Sequence, residues 1–173
     1  MKKLLSLVAI LSLVFSPVTP AFTAERKWLG LSLIDNNFSS IGNWWGSRPS
    51  DGDALLFSTV ISGRDVPMNN YVGYEFSKIT FRDSAKETEL RGNGIYLSGD
   101  IDNSSNKYSQ TISLNMELLQ SVNLYSGDGS RNLEIGGVIS GGYGITKYDS
   151  SILILAGASG GKGGSGLEQM REN

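Results

Sequence analysis

Short apolar stretches, separated by turns rich in glycine, asparagine and serine, constrain the fold of this chain more than any other feature. The segment Leu133–Ser159 reads LEIGGVISGGYGITKYDSSILILAGAS. Its apolar stretches Val138-Ile139 and Ile152–Leu155 are only a few residues long, and they are divided by Gly-Gly-Tyr-Gly and Tyr-Asp-Ser-Ser. Polar turns at this spacing predict short β-strands and not helices.

The same alternation recurs along the chain, and no stretch after Ala21 shows a sustained helical period of apolar residues. Apolar residues at every second position turn one face of a strand inward and the other toward water. Seven or eight strands are therefore predicted, in an all-β fold. In the run Ile152–Leu155 the alternation also fits Leu153 and Leu155 as the inward pair. The alternating groups are Leu55/Phe57, Ile79/Phe81, Ile95/Leu97, Ile112/Leu114/Met116, Val122/Leu124, Leu133/Ile135 and Ile152/Ile154.

The spacing of these groups leaves two architectures open. The interval from Phe57 to Phe81 is longer than the interval from Phe81 to Leu97, and the intervals are shorter still near the C-terminal end. Rungs of about 20 residues with unequal turns fit a β-solenoid. The same strands would also build a β-sandwich, and periodicity alone does not separate the two.

The first residues have the pattern of a secretory signal peptide. Lys2 and Lys3 are followed by twelve largely apolar residues, Leu4–Phe15, and then by the small-residue stretch Ser16–Ala21. The apolar run is shorter than the roughly 20 residues that span a bilayer. We expect cleavage after Ala21, with cleavage after Ala24 as the alternative. The predicted organisation is a signal peptide at 1–21, a solenoid at 22–158 and a flexible Gly/Ser-rich tail at 159–173.

Composition excludes several classes of function. Residues 1–21 hold two of the 15 basic residues and none of the 17 acidic ones, which leaves a formal charge of −4 on residues 22–173. This acidic balance without a basic cluster argues against a nucleic-acid partner. Cysteine is absent, so disulfides do not stabilise the fold. The mature chain has no predicted transmembrane segment, and no residue constellation in it requires a cofactor or a metal.

Two segments of the chain resemble bacterial autotransporter passenger domains. The passenger repeat runs approximately "isGsGgltKtGsGtLtLsGantYtG", and here Ile139–Gly141, Gly144–Lys147, Ile152–Leu155 and Ala156–Ala158 fall in register with it. Upstream, passenger domains often open with "W…nW…vP…gD.a.F". This order is matched by Trp28, Asn43-Trp44, Pro49, Asp51–Ala54 and Phe57. The chain departs from the repeat at Asp149-Ser150-Ser151, which lacks the usual glycine before the last strand.

The resemblance implies a right-handed parallel β-helix, here incomplete, with a structural or adhesive role outside a bacterial cell. Surface glycans, or the surfaces of host or neighbouring cells, are the partners it implies. We expect export through the inner membrane to the cell surface or the medium, or to the periplasm if no translocator is supplied. The C-terminal translocator barrel of such proteins has no counterpart in this sequence.

Three patterns bear on catalysis. Gly157–Gly161 matches the G-x-S-x-G nucleophile pattern around Ser159, but the chain contains no histidine, so no Ser-His-Asp triad forms within it. Asp51/Asp53 and Asp100/Asp102 are carboxylate pairs of the kind that act as acid and base on polysaccharides. We expect no catalytic centre, with an extracellular polysaccharide-active enzyme as the alternative.

Trp44 and Trp45 are the candidate binding residues. Adjacent indoles on a Gly/Asn-rich loop offer a flat face for a sugar ring, as in a carbohydrate-binding module. The favoured interpretation is that one tryptophan covers the open end of the first rung while the other lies against the surface.

Overall fold

The computed structural model describes residues 23–58, 66–82, 85–104, 107–127 and 132–157. Within these ranges the chain is almost entirely parallel β-structure, and its only helical element is a 3-10 turn at Ile41–Asn43. The strands form a β-solenoid of about four turns. They are β1 (Glu25–Trp28), β2 (Ala54–Phe57), β3 (Met68–Asn69), β4 (Glu75–Phe76), β5 (Lys78–Phe81), β6 (Thr88–Gly92), β7 (Ile95–Leu97), β8 (Ile101–Asp102), β9 (Gln110–Ile112), β10 (Met116–Leu118), β11 (Val122–Tyr125), β12 (Asn132–Ile135), β13 (Ile139–Gly141), β14 (Ile145–Tyr148) and β15 (Ile152–Leu155).

Three sheets form the walls of the solenoid. The six-stranded sheet has the order β1-β2-β5-β8-β11-β14, the four-stranded sheet β13-β10-β7-β4, and the five-stranded sheet β15-β12-β9-β6-β3. Neighbouring strands in all three sheets are parallel, whereas a sandwich is built from antiparallel hairpins and Greek keys. The predicted parallel β-helix is therefore confirmed and the sandwich alternative is excluded.

The expected number of strands was too low, because each turn of the solenoid carries three short strands. The group Ile112/Leu114/Met116 illustrates this: Ile112 ends β9 and Met116 begins β10, with a corner at the buried Leu114 between them. At corners of this kind the apolar alternation continues from one strand into the next. The sequence pattern therefore predicts one strand where the structure has two strands on different walls of the solenoid.

The length of one turn is more regular than the sequence spacing indicated. In the six-stranded sheet Leu55 pairs with Ile79, Ile79 with Ile101 and Ile101 with Leu124, and these steps along the chain are nearly equal. The interval between Phe81 and Leu97 is shorter because these residues lie on different walls of the solenoid.

Stacked apolar columns fill the interior. Leu55, Ile79, Ile101 and Leu124 form one column, and each is at most 1% exposed. Beside this column the rings of Phe57 and Phe81 stack with centroids 5.4 Å apart. Burying an aliphatic or aromatic side chain of this size contributes about 1.5–3 kcal/mol. The columns are therefore the main source of stability in a chain without disulfides.

The last described turn is less apolar and more exposed. The register of β12 with β15 pairs Leu133 with Leu153 and Ile135 with Leu155, so Leu153 and Leu155 point inward. Ile152 and Ile154 face outward and are 56% and 37% exposed. The sequence left both pairs open, because an uninterrupted run of four aliphatic residues does not distinguish the two faces of a strand.

A non-glycine residue with positive φ lies just before this last strand. Asp149 has a φ of 70°, in the left-handed region that favours glycine and also tolerates aspartate. Its carboxylate accepts hydrogen bonds from the backbone N–H groups of Ser126 and Gly127 in the preceding turn, which hold Asp149 in this conformation.

Candidate functional site

Asp53 is buried and holds the first two strands together. Its carboxylate accepts hydrogen bonds from the Ala24 N–H at 3.0 Å and the Ser50 N–H at 2.9 Å, and it pairs with Arg26 Nε at 2.6 Å. Burial raises the pKa of Asp53, but the hydrogen bonds from Arg26, Ser50 and Ala24 and the charge of Arg26 outweigh it, so the pKa lies below its ordinary value. A carboxylate held in the ionised form by backbone donors is suited to structure and not to proton transfer.

The other member of this pair also caps a strand. Asp51 Oδ1 accepts a hydrogen bond from the N–H of Glu75, at the start of β4, at 2.7 Å. Asp51 and Asp53 therefore point to different partners, and each satisfies a backbone donor at a corner of the solenoid.

Asp100 and Asp102 repeat this arrangement farther along the six-stranded sheet. Asp100 Oδ1 accepts a hydrogen bond from the N–H of Asn123, in the next turn, at 2.9 Å. Asp102 accepts hydrogen bonds from the N–H and hydroxyl of Ser104 and lies 3.4 Å from Lys78 Nζ. Burial raises the pKa of Asp102, but the Ser104 hydrogen bonds and the Lys78 ammonium bring it below its ordinary value.

The two adjacent tryptophans do not share a face. Trp44 is 4% exposed, its indole donates a hydrogen bond to the Phe38 carbonyl at 2.8 Å, and its ring packs edge to face on Trp28 with centroids 5.0 Å apart. The Trp45 side chain is exposed, with 72% of the residue accessible, and the backbone N–H of Trp45 donates a hydrogen bond to the Lys27 carbonyl. Trp44 is therefore part of the end cap, and Trp45 alone is accessible to a ligand.

A groove that the sequence pattern did not predict lies on the outer face of the four-stranded sheet. It has a volume of about 220 Å³ and is lined by Gly73, Gly94, Ile95, Tyr96, Asn115, Met116, Glu117 and Ser140. The residues that face outward on a two- or three-residue strand give no periodic signal by themselves. The register of the strands was needed to bring Tyr96 and Glu117 together.

Asn103 is a buried polar residue whose side chain has no hydrogen-bond partner among the described residues. It is fully buried, and neither its Oδ1 nor its Nδ2 is paired. Its backbone N–H, in contrast, donates to the Tyr125 carbonyl at 2.7 Å. An unpaired buried amide costs about 1–3 kcal/mol.

Several expectations fall outside the described residues. These are the signal peptide with its cleavage site at Ala21, the G-x-S-x-G serine Ser159 and the tail at 159–173. The described residues include no group of three or more acidic side chains placed to hold a metal ion. They also include no helix with the length and apolar character needed to cross a membrane.

Comparison with known proteins identifies no relative of this chain: no family model, no curated protein and no solved structure matches it.

Proposed function

We propose that this chain is a non-catalytic β-solenoid of the secreted or cell-surface kind, with a structural or adhesive role like that of an autotransporter passenger domain. The observation that supports the proposal is that acidic side chains bind backbone groups of neighbouring segments. Asp51, Asp53 and Asp100 each accept a backbone N–H from a neighbouring segment, so they stabilise the stacking of turns.

The alternative, a polysaccharide-active enzyme, needs two carboxyl groups that are free to exchange protons with a substrate. The lowered pKa values of Asp53 and Asp102 favour the ionised form of both groups. A carboxyl group held in this form is a poor general acid. The structural role of the aspartates is therefore the better supported of the two.

The position of Ala24 bears on the proposed export. Its N–H donates to Asp53 and its carbonyl accepts a hydrogen bond from Ala54 at 2.9 Å, so Ala24 belongs to the solenoid. Cleavage after Ala24 would remove both contacts, whereas cleavage after Ala21 would leave them intact. This supports Ala21 as the site of signal-peptide cleavage.

The test of export is expression of the full chain in a Gram-negative host, followed by fractionation and mass spectrometry. The expected result is a new N-terminus at Phe22 in the exported protein, because cleavage there preserves the Ala24 contacts. A variant that lacks residues 2–15 is the control and should stay in the cytoplasm. Recovery of the full chain with Met1 intact in the soluble cytoplasmic fraction would exclude export.

The test of function is binding of the purified chain to immobilised glycans and to host-cell layers. The unsubstituted chain should bind more strongly than Ile79→Asp, a variant that places a charge in the core. Equal binding of the two proteins would contradict an adhesive role. Hydrolysis of a polysaccharide that is lost in both Asp51→Asn and Asp53→Asn would instead support the enzyme alternative.

A further inference from the structure

Four outward-facing side chains form a ladder along the four-stranded sheet. Glu75 pairs with Tyr96, Tyr96 with Glu117 and Glu117 with Ser140, each on the neighbouring strand. Adjacent strands lie about 4.8 Å apart, so the ladder runs parallel to the solenoid axis at regular intervals. Residues on both sides of Tyr96 and Glu117 in their strands are buried, which fixes these two side chains outward.

The middle of this ladder borders the groove of about 220 Å³. Gly73 and Gly94 contribute no side chains there, which leaves the ring of Tyr96 accessible beside the Glu117 carboxylate. Tyr96 is 37% exposed although the rest of its strand is buried. An aromatic ring beside a space of this size suits a single sugar ring stacked on its face.

The polar groups at the groove are available to a ligand. The Glu75 carboxylate accepts a hydrogen bond from the Ser98 hydroxyl, whereas the Glu117 carboxylate and the Tyr96 hydroxyl have no partner among the described residues. Asn115 uses its Oδ1 to accept the Val138 N–H at 2.9 Å, which leaves its Nδ2 as a donor. An unengaged acceptor and a donor beside an aromatic face match the hydroxyl groups of a sugar.

The charge of this face narrows the choice of sugar. The four strands β4, β7, β10 and β13 contain Glu75 and Glu117 and no lysine or arginine. Acidic sugars would be repelled, while the ammonium group of an amino sugar would be attracted to the unpaired Glu117 carboxylate.

We propose that this groove binds a glycan without acidic groups and prefers one that contains amino sugars. Tyr96 is the stacking platform, and Glu117 accepts hydrogen bonds from the hydroxyl and ammonium groups. The inference deepens the proposed adhesive role, on which it rests, by naming the class of ligand.

The test is calorimetric titration of the full chain at pH 6 and low salt with three hexasaccharides. These are the glucosamine hexamer, cellohexaose and hexagalacturonate. The expected order is tightest binding of the glucosamine hexamer, weaker binding of cellohexaose and none of hexagalacturonate. Tyr96→Ala should weaken binding of the first two by about two- to tenfold, because the stacking face is lost. Glu117→Gln should remove the preference for the glucosamine hexamer over cellohexaose.

Tyr143→Ala is the matched control, because Tyr143 is 55% exposed and does not line the groove. It should leave all affinities unchanged, and thermal melts should show that the Tyr96 and Glu117 variants fold. Equal affinities of Tyr96→Ala and Tyr143→Ala, tight binding of hexagalacturonate, or no binding of any hexamer would overturn the proposal. If the purified chain binds host-cell layers while no hexamer binds, the groove assignment fails and the adhesive role stands. If hexamers bind while the chain does not bind host-cell layers, the adhesive role fails.

Discussion

At the N-terminal end of the solenoid, Trp28 and Phe38 are fully buried and Trp44 is 4% exposed, whereas in the last described turn the inward Leu153 and Leu155 are only half-buried. The first turn is covered by the long loop between β1 and β2, which contains no strand. In the last described turn, β13, β14 and β15 each have a strand on one side only within the described residues. Stability in a solenoid accumulates from contacts between neighbouring turns. The two ends should therefore contribute unequally.

A basic residue stands at each end of the column formed by Leu55, Ile79, Ile101 and Leu124. At the N-terminal end Arg26 pairs with Leu55 and forms an ion pair with Asp53. In the last described turn Lys147 pairs with Leu124. Its ammonium group reaches the Asp149 carbonyl at 2.7 Å, at the rim of the turn. Inward-facing charges on edge strands disfavour pairing with another chain. Both ends therefore carry a charge at this position, and the difference between them lies in the aromatic side chains that bury the N-terminal end.

The largest expected effect lies in the aromatic cap. Phe38 is fully buried and contacts the rings of Trp28, Trp44, Phe57 and Phe76 at centroid distances of 5.3–6.4 Å. Phe38→Ala should lower the free energy of unfolding by about 3–5 kcal/mol, measured by urea denaturation of the full chain. The exposed Trp45→Ala is the control and should change it by less than about 0.5 kcal/mol. A loss below about 1 kcal/mol for Phe38→Ala would show that the loop does not close the core.

A second prediction compares the same inward position in two successive turns. Leu133 is fully buried and pairs with the half-buried Leu153. Leu133→Ala should cost about 2–5 kcal/mol, and Leu153→Ala about half as much, because a partly exposed site leaves a smaller cavity.

The outward Ile152→Ala provides the control on the same strand and should cost less than about 0.5 kcal/mol. All three variants are measured by the same urea denaturation. Equal losses at Leu133 and Leu153 would mean that residues beyond the described turn complete its core. Equal losses at Ile152 and Leu153 would mean that β15 is not packed with the register described.

The sequence predicted the class of fold because alternation and turn composition are local properties. Leu55/Phe57 and Val122/Leu124 were assigned to the interior correctly, since each lies within one strand. The number of strands was underestimated because buried corner residues such as Leu114 extend the alternation across a turn.

The candidate sites were less accessible to sequence reasoning. Asp51 and Asp53 are close in sequence, which suggested that they could act together as acid and base. Their partners Glu75 and Arg26, however, belong to the turns on either side. The groove at Tyr96 and Glu117 depends on the register between strands of successive turns, and the sequence pattern left that register undetermined.

The smallest predicted effect concerns the ion pair that fastens the N-terminal end. Asp53→Asn should lower the free energy of unfolding by about 1–3 kcal/mol at neutral pH, because it removes the charge that pairs with Arg26 while keeping an acceptor for the backbone. The exposed Glu87→Gln is the matched control and should have little effect.

The pH dependence of this loss tests its cause. The pKa of Asp53 is lower in the folded state than its ordinary value, so the ionised carboxylate contributes stability above about pH 4. That contribution is lost as the pH falls through about 4 and then through the lower pKa of the folded state, where the proton binds. In urea denaturation from pH 7 to pH 3, the difference between the unsubstituted chain and Asp53→Asn should therefore stay constant down to about pH 5 and then shrink. A difference of constant size across the whole range would mean that the substitution acts through packing. The stability of the N-terminal end would then depend on its aromatic residues and not on this ion pair.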